Sequence, residues 1–179
     1  GFDSQALWLH NLTVAWIARE LAEASFFMEA GAVMLAGLLH DLGFLLLATR
    51  LKEELEKILA QVNEETSFAQ VEADLGLSHC AIGAVLAESW GLPDIHLAAV
   101  RDHHNPLTPG PCRNTTCMVA LAEVLSHKLG YGLKEESPEF DYESALKASN
   151  LTQSRLKATY KMAAERLPAL QDGWLTLMG

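Results

Sequence analysis

The chain contains Gly37-Leu38-Leu39-His40-Asp41-Leu42-Gly43 within its most apolar part, which runs from Ala30 to Leu47. A charged carboxylate is costly to bury unless a cation or several hydrogen-bond donors face it. Asp41 is therefore expected to face such groups. His40 and Asp41 are either a hydrogen-bonded pair in a helical core or part of a binding site, and this segment alone leaves both interpretations open.

Outside this segment, apolar residues recur at a helical period almost throughout the chain. No run of alternating β-branched residues is long enough for a sheet, so the sequence predicts an all-α bundle of roughly seven to nine helices. Ser4, Ser67 and Ser78 are the predicted N-caps of three of them. The helices are predicted at residues 7–21, 29–50, 51–63, 67–75, 79–90, 93–104, 114–129, 142–148 and 152–170. The second is apolar on nearly every side, and Gly43 is expected to bend it or end its regular part.

Residues 1–130 are predicted to form the main helical domain. A linker rich in Gly, Glu and Pro follows, and the last helices within residues 131–179 are expected to pack on the same domain.

The composition excludes several classes of protein. The 179 residues are 50% hydrophobic, with 13 Lys and Arg against 23 Asp and Glu, for a formal net charge of −10. Such a chain buries a sizeable core, and it is neither disordered nor a disulfide scaffold. Its acidity disfavours a role in coating nucleic acid or an anionic membrane, although it leaves a nucleotide ligand open.

The sequence predicts a cytoplasmic protein. The three cysteines read as free thiols, and no basic region followed by an apolar stretch marks a secretion signal. His40 and Asp41 interrupt the longest apolar region, which makes it a poor membrane span.

Other ionisable residues also lie on or next to apolar helices. They are His10, His79, His103, His104 and Glu123. Together with His40 and Asp41 they offer five imidazoles and two carboxylates from separate helices. That donor set suits one or two divalent transition metal ions (Fe, Mn, Ni, Co or Zn) better than Ca or Mg.

These motifs resemble those of the HD superfamily of metal-dependent phosphohydrolases. The resemblance rests on His10, Gly-Leu-Leu-His40-Asp41-Leu-Gly, Leu-Ser-His79, Trp-Gly-Leu-Pro and His103-His104-Asn-Pro, in this order. Within the superfamily, the chain looks most like the bacterial HDOD signalling domains, which are related to the HD-GYP cyclic-dinucleotide phosphodiesterases. The match covers about residues 5–128.

The resemblance implies a metal centre. By position, His10, His40, Asp41 and Glu123 would hold one ion, and Asp41 would bridge to a second ion held by His79, His103 and His104. In an active member, Asp41 would be catalytic, and metal-activated hydroxide would attack the phosphorus of a nucleotide or cyclic dinucleotide.

The sequence departs from the family pattern at several points. Phe44 stands where lysine often follows the His-Asp motif, Glu123 stands where aspartate is usual, and the Gly-Tyr-Pro signature is absent. Arg101 is the nearest candidate for a phosphate contact, although a solvated position on a helix face is the more ordinary interpretation. Cys80 beside His79 would suggest a Cys-His nucleophile pair, but helix neighbours point about 100° apart. The small residues around Cys80 indicate a packing role instead.

The family unit is also longer, with a helical half before the first histidine. Either the sequence is a fragment of such a unit, or this protein uses only the HD-like half. In the first case, the apolar surface that the other half would cover is expected to be exposed or self-associated, which makes a homo-oligomer a candidate state. Trp8, Trp16, Phe26 and Phe27 are the candidate residues of that surface.

Three hypotheses follow for the function. The first is an HDOD-type regulatory domain that binds metal with weak or no catalysis and works with other signalling proteins or domains. The second is an active phosphohydrolase, and the third is a structural bundle with a vestigial site. Phe44 favours the first over the second, whereas the full histidine set disfavours the third.

Overall fold

The structure is a computed structural model that describes residues 3–63, 66, 68–133 and 140–178. The predicted all-α class is confirmed, and no strand occurs in these residues. The helices are α1 (Ser4–Ala24), α2 (Ala30–Leu39), α3 (Leu42–Arg50), α4 (Lys52–Gln61), α5 (Phe68–Asp74), α6 (His79–Ser89), α7 (Asp94–Asp102), α8 (Arg113–Lys128), α9 (Tyr142–Ala148) and α10 (Gln153–Met178).

The N-cap of the first helix lies one residue before the predicted one. Asp3, not Ser4, is the N-cap of α1, and its carboxylate accepts hydrogen bonds from the backbone N–H groups of Gln5 and Ala6 at 3.0 Å each. Ser78 caps α6 as predicted, since its hydroxyl accepts from the backbone N–H of Ala81 at 3.2 Å. The predicted cap Ser67 lies outside the described residues.

The apolar stretch predicted as one helix over residues 29–50 is two helices. The regular backbone ends at Leu39 and resumes at Leu42, so the interruption falls on His40 and Asp41 and not on Gly43. Asp41 has φ −95° and ψ 26°, outside the α-helical region. The break lets two adjacent polar side chains lie at a junction between helices.

Gly43 instead allows α3 to approach α6 closely. A Cβ atom at Gly43 would collide with the backbone carbonyl of His79, and one at Gly83 would come within 2.8 Å of the backbone nitrogen of Gly43. Small residues on both helices therefore set the distance between the α2–α3 break and the start of α6.

The largest hydrophobic core forms around α1. Its central residues include Val14, Ile17 and Leu21, which are fully buried with Leu121 of α8. Leu167 of α10 belongs to the same cluster, so the C-terminal helices pack on the core that α1 and α8 build. A second cluster joins α3, α4 and α5. The break at residues 40–41 lies between α2, which contributes to the first cluster, and α3, which contributes to the second.

Ala30–Arg50 is long and apolar enough to cross a membrane, with a mean hydropathy of 1.8. Half of its most apolar window is buried inside the bundle, and the break with His40 and Asp41 lies in its middle. Length and composition alone are weak evidence for a membrane span, because the core helix of a soluble protein passes the same test.

The four aromatic residues predicted at an open surface divide into two pairs. Trp8 is 47% exposed and Phe26 is 76% exposed, whereas Trp16 and Phe27 pack partly against the main core.

We expect Gly43→Ala to destabilise the fold by about 1–3 kcal/mol, because the added methyl group forces α3 and α6 apart. Gly31→Ala is the matched control, since a Cβ there meets nothing within 4 Å. Thermal or urea unfolding of both variants measures the difference. Equal stabilities of the two variants would contradict the close approach of α3 and α6.

Candidate metal centre

The seven residues that the sequence predicted as metal ligands lie close together around Asp41. They come from the middle of α1 (His10), the α2–α3 break (His40 and Asp41), the first turn of α6 (His79), the end of α7 (His103 and His104) and the middle of α8 (Glu123). The side-chain oxygens of Asp41 are 3.6 Å from His10 Nε2, 3.2 Å from His40 Nε2, 3.8 Å from His79 Nε2 and 3.5 Å from His103 Nε2.

Four of the imidazoles are held by oxygen acceptors on their outer side. His10 Nδ1 donates to the carbonyl of Tyr131 at 2.9 Å, and His40 Nδ1 donates to the carbonyl of Gly37 at 2.7 Å.

His103 Nδ1 donates to the carbonyl of Ala99 at 3.0 Å, and His79 Nδ1 donates to the Glu72 carboxylate at 2.9 Å. A carbonyl oxygen or an ionised carboxylate only accepts, so the proton of a neutral ring is on Nδ1 in each case. The Nε2 atoms therefore face the cluster, and each offers a lone pair whenever its ring is neutral, as in a metal-binding histidine.

The inner atoms lack the partners that buried polar groups need. Both side-chain oxygens of Asp41, Nε2 of His40 and Oε2 of Glu123 are buried without a hydrogen bond to any residue that the structure describes. Such groups are costly in an apolar interior unless a cation compensates them. Inward lone pairs and unpartnered carboxylate oxygens are a donor set that fits a transition metal ion.

The donors fall into three overlapping groups whose members lie within 4.8 Å of one another. They are His10, His40 and Glu123; His40, Asp41 and His103; and His79, Cys80, His103 and His104. The buried cluster can therefore hold a metal ion.

Burial keeps two of the histidines of the cluster, His10 and His104, neutral. Burial lowers the pKa of His10 to about 4, although the nearby Asp41 carboxylate opposes the shift. Burial and the neighbouring His103 lower the pKa of His104 to about 2. Protons therefore do not compete for these two rings at neutral pH.

Asp41 and His103 shift in the opposite sense. Burial by itself raises the pKa of Asp41, but His40 and His103 outweigh it and hold that pKa well below its ordinary value. Burial by itself lowers the pKa of His103, but Cys80 and Asp41 raise it well above its ordinary value. Asp41 is thus a carboxylate throughout the neutral range.

The structure adds Glu72 to the site. Its carboxylate accepts from both the backbone N–H (2.6 Å) and Nδ1 of His79, and its side chain is buried. Glu72 is one of two acidic residues on the short helix α5, the other being Asp74, so only the fold reveals which carboxylate faces the cluster.

Cys80 also belongs to the site, contrary to the sequence-based interpretation. Its sulfur is 3.4 Å from His79 Nε2 and 3.8 Å from His103 Nε2. His79 and Cys80 both lie in the first turn of α6. Although neighbouring side chains on a helix point about 100° apart, this imidazole and this thiol are in contact.

Arg101 is not brought to the cluster. Its side chain is 51% exposed on α7 and donates to the Asp102 carboxylate at 2.8 Å. The position expected to carry a family lysine is instead apolar. Phe44 is 2% exposed, and its ring stacks on His79 with centroids 4.5 Å apart.

The two remaining histidines differ in position. His96 is buried because α7 packs against α2, and burial lowers its pKa. His127 is half-buried, and its ring centroid is 5.9 Å from that of His10, so it borders the cluster without joining a ligand group.

Replacing Glu72 by glutamine is expected to weaken metal binding about 10- to 100-fold, because an amide orients and polarises the His79 ring less than a carboxylate does. Competition with a chelating dye measures the affinity. The control is Asp74→Asn, the same chemical change at an exposed site on α5. Equal losses in the two variants would contradict the role of Glu72.

The three cysteines are expected to react in a defined order in metal-free protein at pH 7. Burial alone would raise the pKa of Cys80, but His103 and His79 lower it to about 6. Burial raises the pKa of Cys112, and it raises that of Cys117 to about 11.

Alkylation by iodoacetamide, followed by peptide mass mapping, should therefore modify Cys80 first and Cys117 only after unfolding. Modification of Cys117 before Cys80 would contradict this order.

Comparison with known proteins identifies the fold. An HDOD domain protein of unknown function from Geobacter sulfurreducens superposes with a TM-score of 0.84 at 26% identity, over 96% of this chain and 63% of that one. A proposed signal transduction protein of Marinobacter aquaeolei VT8 gives a TM-score of 0.79 at 23% identity, over 96% of this chain and 39% of that one. The second likeness shows the fold alone.

Two sequence relatives are considerably longer than this chain. An uncharacterised protein of Treponema pallidum (strain Nichols) is 30% identical over 127 residues, which are 68% of this chain and 25% of that protein. Ribonuclease Y of Aquifex aeolicus (strain VF5) is 33% identical over 101 residues, 56% of this chain and 13% of that enzyme.

The family model for the HDOD domain matches residues 1–106, which is more than half of the 179-residue chain. The motifs around His40 and Asp41, the all-α bundle and the Geobacter structure agree with that match. The chain belongs to the HDOD domain family.

Proposed function

We propose that this chain is a regulatory signal-transduction domain that binds one or two transition metal ions and has weak or no catalytic activity. Its membership of the HDOD family and the buried His/Asp cluster support the metal-binding half of the proposal. The surroundings of His79 support the regulatory half.

The observation that carries the proposal is the stack of Phe44 on His79. Enzymes that cleave phosphate esters surround the transferring group with cations, because negative charge spreads over its oxygens. Here an apolar ring occupies the position expected for a lysine, and Arg101 is tied to Asp102 on the outer face of α7. The ion pairs of Asp41 with described residues are all with histidines.

Burial of the donors also argues against turnover. His10, His40, Asp41, His103 and Glu123 are each 2% exposed or less. Cys80 and His104 are only partly buried, so a ligand would reach the cluster from the side where α6 begins and α7 ends.

The alternative is a phosphohydrolase that acts on a nucleotide or cyclic dinucleotide. Two observations favour it: the predicted ligands are gathered around one carboxylate, and a relative over part of the chain is a ribonuclease. Bound metal would supply activated water and charge stabilisation. In that case Asp41 and the inward Nε2 atoms would fix the ion, and Glu72 would hold His79.

A regulatory domain acts through contacts with other domains. We infer that the partner is another signalling protein or domain, or a second copy of this chain, in a bacterial cytoplasm. The solved relative from Geobacter is longer than this chain, and several large apolar side chains are open to solvent here. They include Phe26, Met28, Val85 and Trp90.

Protein purified without chelator is expected to contain about one or two equivalents of a transition metal by elemental analysis. The metal-loaded protein is expected to hydrolyse phosphomonoesters, nucleotides and cyclic dinucleotides no faster than an Asp41→Ala variant. Metal content below about a tenth of an equivalent would contradict both metal-dependent functions.

The matched controls separate signalling from catalysis. Asp102→Ala removes a partly exposed carboxylate outside the three ligand groups, and it should keep the metal. Hydrolysis that survives in Asp102→Ala and disappears in both His40→Ala and Asp41→Ala would decide for the enzyme.

A further inference from the structure

Within the described residues, five helices end in the same backbone motif. The two residues after the cap donate their N–H groups to carbonyls of the last turn, and the first of the two has a positive φ. That residue is Gly76 after α5, Gly91 after α6, Gly130 after α8, Asn150 after α9 and Phe26 after α1. Glycine and asparagine are the residues that this position favours, so Phe26 is the exception.

Phe26 strains the backbone without contributing to the core of its own chain. Its φ is 61°, and a residue with a Cβ is strained in this left-handed region. The ring is 76% exposed, so it buries little apolar surface in the described structure. Asn150, at the equivalent position after α9, instead donates a hydrogen bond from Nδ2 to the carbonyl of Ser25 at 3.4 Å. Backbone strain that local packing does not explain is concentrated at functional sites.

The exposed ring of Phe26 is held by Arg155, near the start of α10. The guanidinium carbon lies 4.6 Å from the ring centroid, which is the geometry of a cation–π contact. The arginines that form ion pairs with described residues are Arg19 and Arg101, so Arg155 has no carboxylate partner among those residues. Its charge is therefore available to a carboxylate from outside the chain.

Two neighbours of Phe26 complete an exposed patch. Met28 is 98% exposed, and Glu29, the next residue, is also exposed. The side chain of Glu29 does not cap α2, and it forms no ion pair with a described residue. The Phe26 surface, defined as Phe26, Met28, Glu29 and Arg155, thus carries two apolar side chains, one cation and one carboxylate.

The Phe26 surface is complementary to itself. In a two-fold symmetric dimer the same patch lies on both sides of the interface, so every contact between two different residues occurs twice. Phe26 and Met28 of two copies bury each other's apolar surface, and Arg155 of each copy meets Glu29 of the other. A patch with charges of one sign only would repel its own copy. Opposite charges that do not pair within the chain therefore favour a second copy as the partner.

We propose that the Phe26 surface is the interface of a two-fold homodimer, with Phe26 and Met28 at its apolar centre. This inference rests on the proposed regulatory function, which acts through contacts between domains, and it selects a second copy as the partner. Helix α1 carries His10 of the metal cluster and ends next to Phe26, so the dimer contact and the cluster share one helix.

Sedimentation equilibrium of the full chain measures the dimer. The dissociation constant is expected to rise more than about tenfold in both Phe26→Gly and Met28→Ser, because each removes an apolar side chain from the centre of the interface. Leu177→Ser is the matched control and should dimerise like the wild type, since Leu177 is 86% exposed at the far end of α10.

Phe26→Gly also separates the interface from folding. In dilute, monomeric protein its melting temperature is expected to rise by about 2–4 °C, because glycine adopts the positive φ without strain. A variant that folds more stably than the wild type and dimerises less has lost a contact between copies, not its fold. Loss of the dimer only in variants that also unfold would overturn the proposal.

A charge exchange tests the pairing of Arg155 with Glu29. Arg155→Glu and Glu29→Arg each place like charges across the two-fold axis, so each variant alone is expected to be monomeric. Mixing the two variants restores both ion pairs and should give a heterodimer. Absence of that heterodimer would overturn the pairing that selects a second copy.

A wild type that stays monomeric up to about 1 mM would overturn the dimer, as would a dimer that survives both Phe26→Gly and Met28→Ser. The metal content and hydrolysis rates that test the proposed function are measured separately. A monomer that binds metal would therefore leave the proposed function standing, with another signalling protein as its partner.

Discussion

The Asp41 carboxylate, buried in the most apolar part of the chain, is the constraint on which the rest of the structure depends. Both of its oxygens lack a hydrogen bond, and four imidazole nitrogens lie 3.2–3.8 Å from them. Removing such a charge from water is favourable only when opposite charge compensates it. The bundle therefore brings polar atoms from several helices together around Asp41, and the cluster that they form can hold a cation.

The sequence predicts the fold class and the gathered donors because both depend on simple patterns. Helical periodicity identifies the bundle, and His10 or Glu123 stands out as a polar residue on an apolar helix. The break was expected at Gly43 and not at His40 and Asp41, because glycine is the strongest helix-breaking residue in this segment. Cys80 and Glu72 were missed because their roles depend on how the first turn of α6 meets α5 and α7, which is a property of tertiary packing.

The site also depends on residues that carry no chemistry. Gly43 and Gly83 let α3 and α6 touch at backbone distance, and this contact brings His79 within reach of Asp41. Phe44, the next residue along α3, then lies against the His79 ring. A single helix pair thus fixes both a metal donor and the apolar ring beside it.

The hydrogen bond from His10 to the carbonyl of Tyr131 links the cluster to the chain that leaves α8. His10 keeps its inward lone pair only while that carbonyl stays in place, and the same carbonyl accepts from the Ser126 hydroxyl at 3.1 Å. Suppose that a movement of the backbone after α8 weakens metal binding. By thermodynamic linkage, bound metal then opposes that movement by the same free energy. The occupancy of the metal site and the position of the backbone after α8 are therefore thermodynamically coupled.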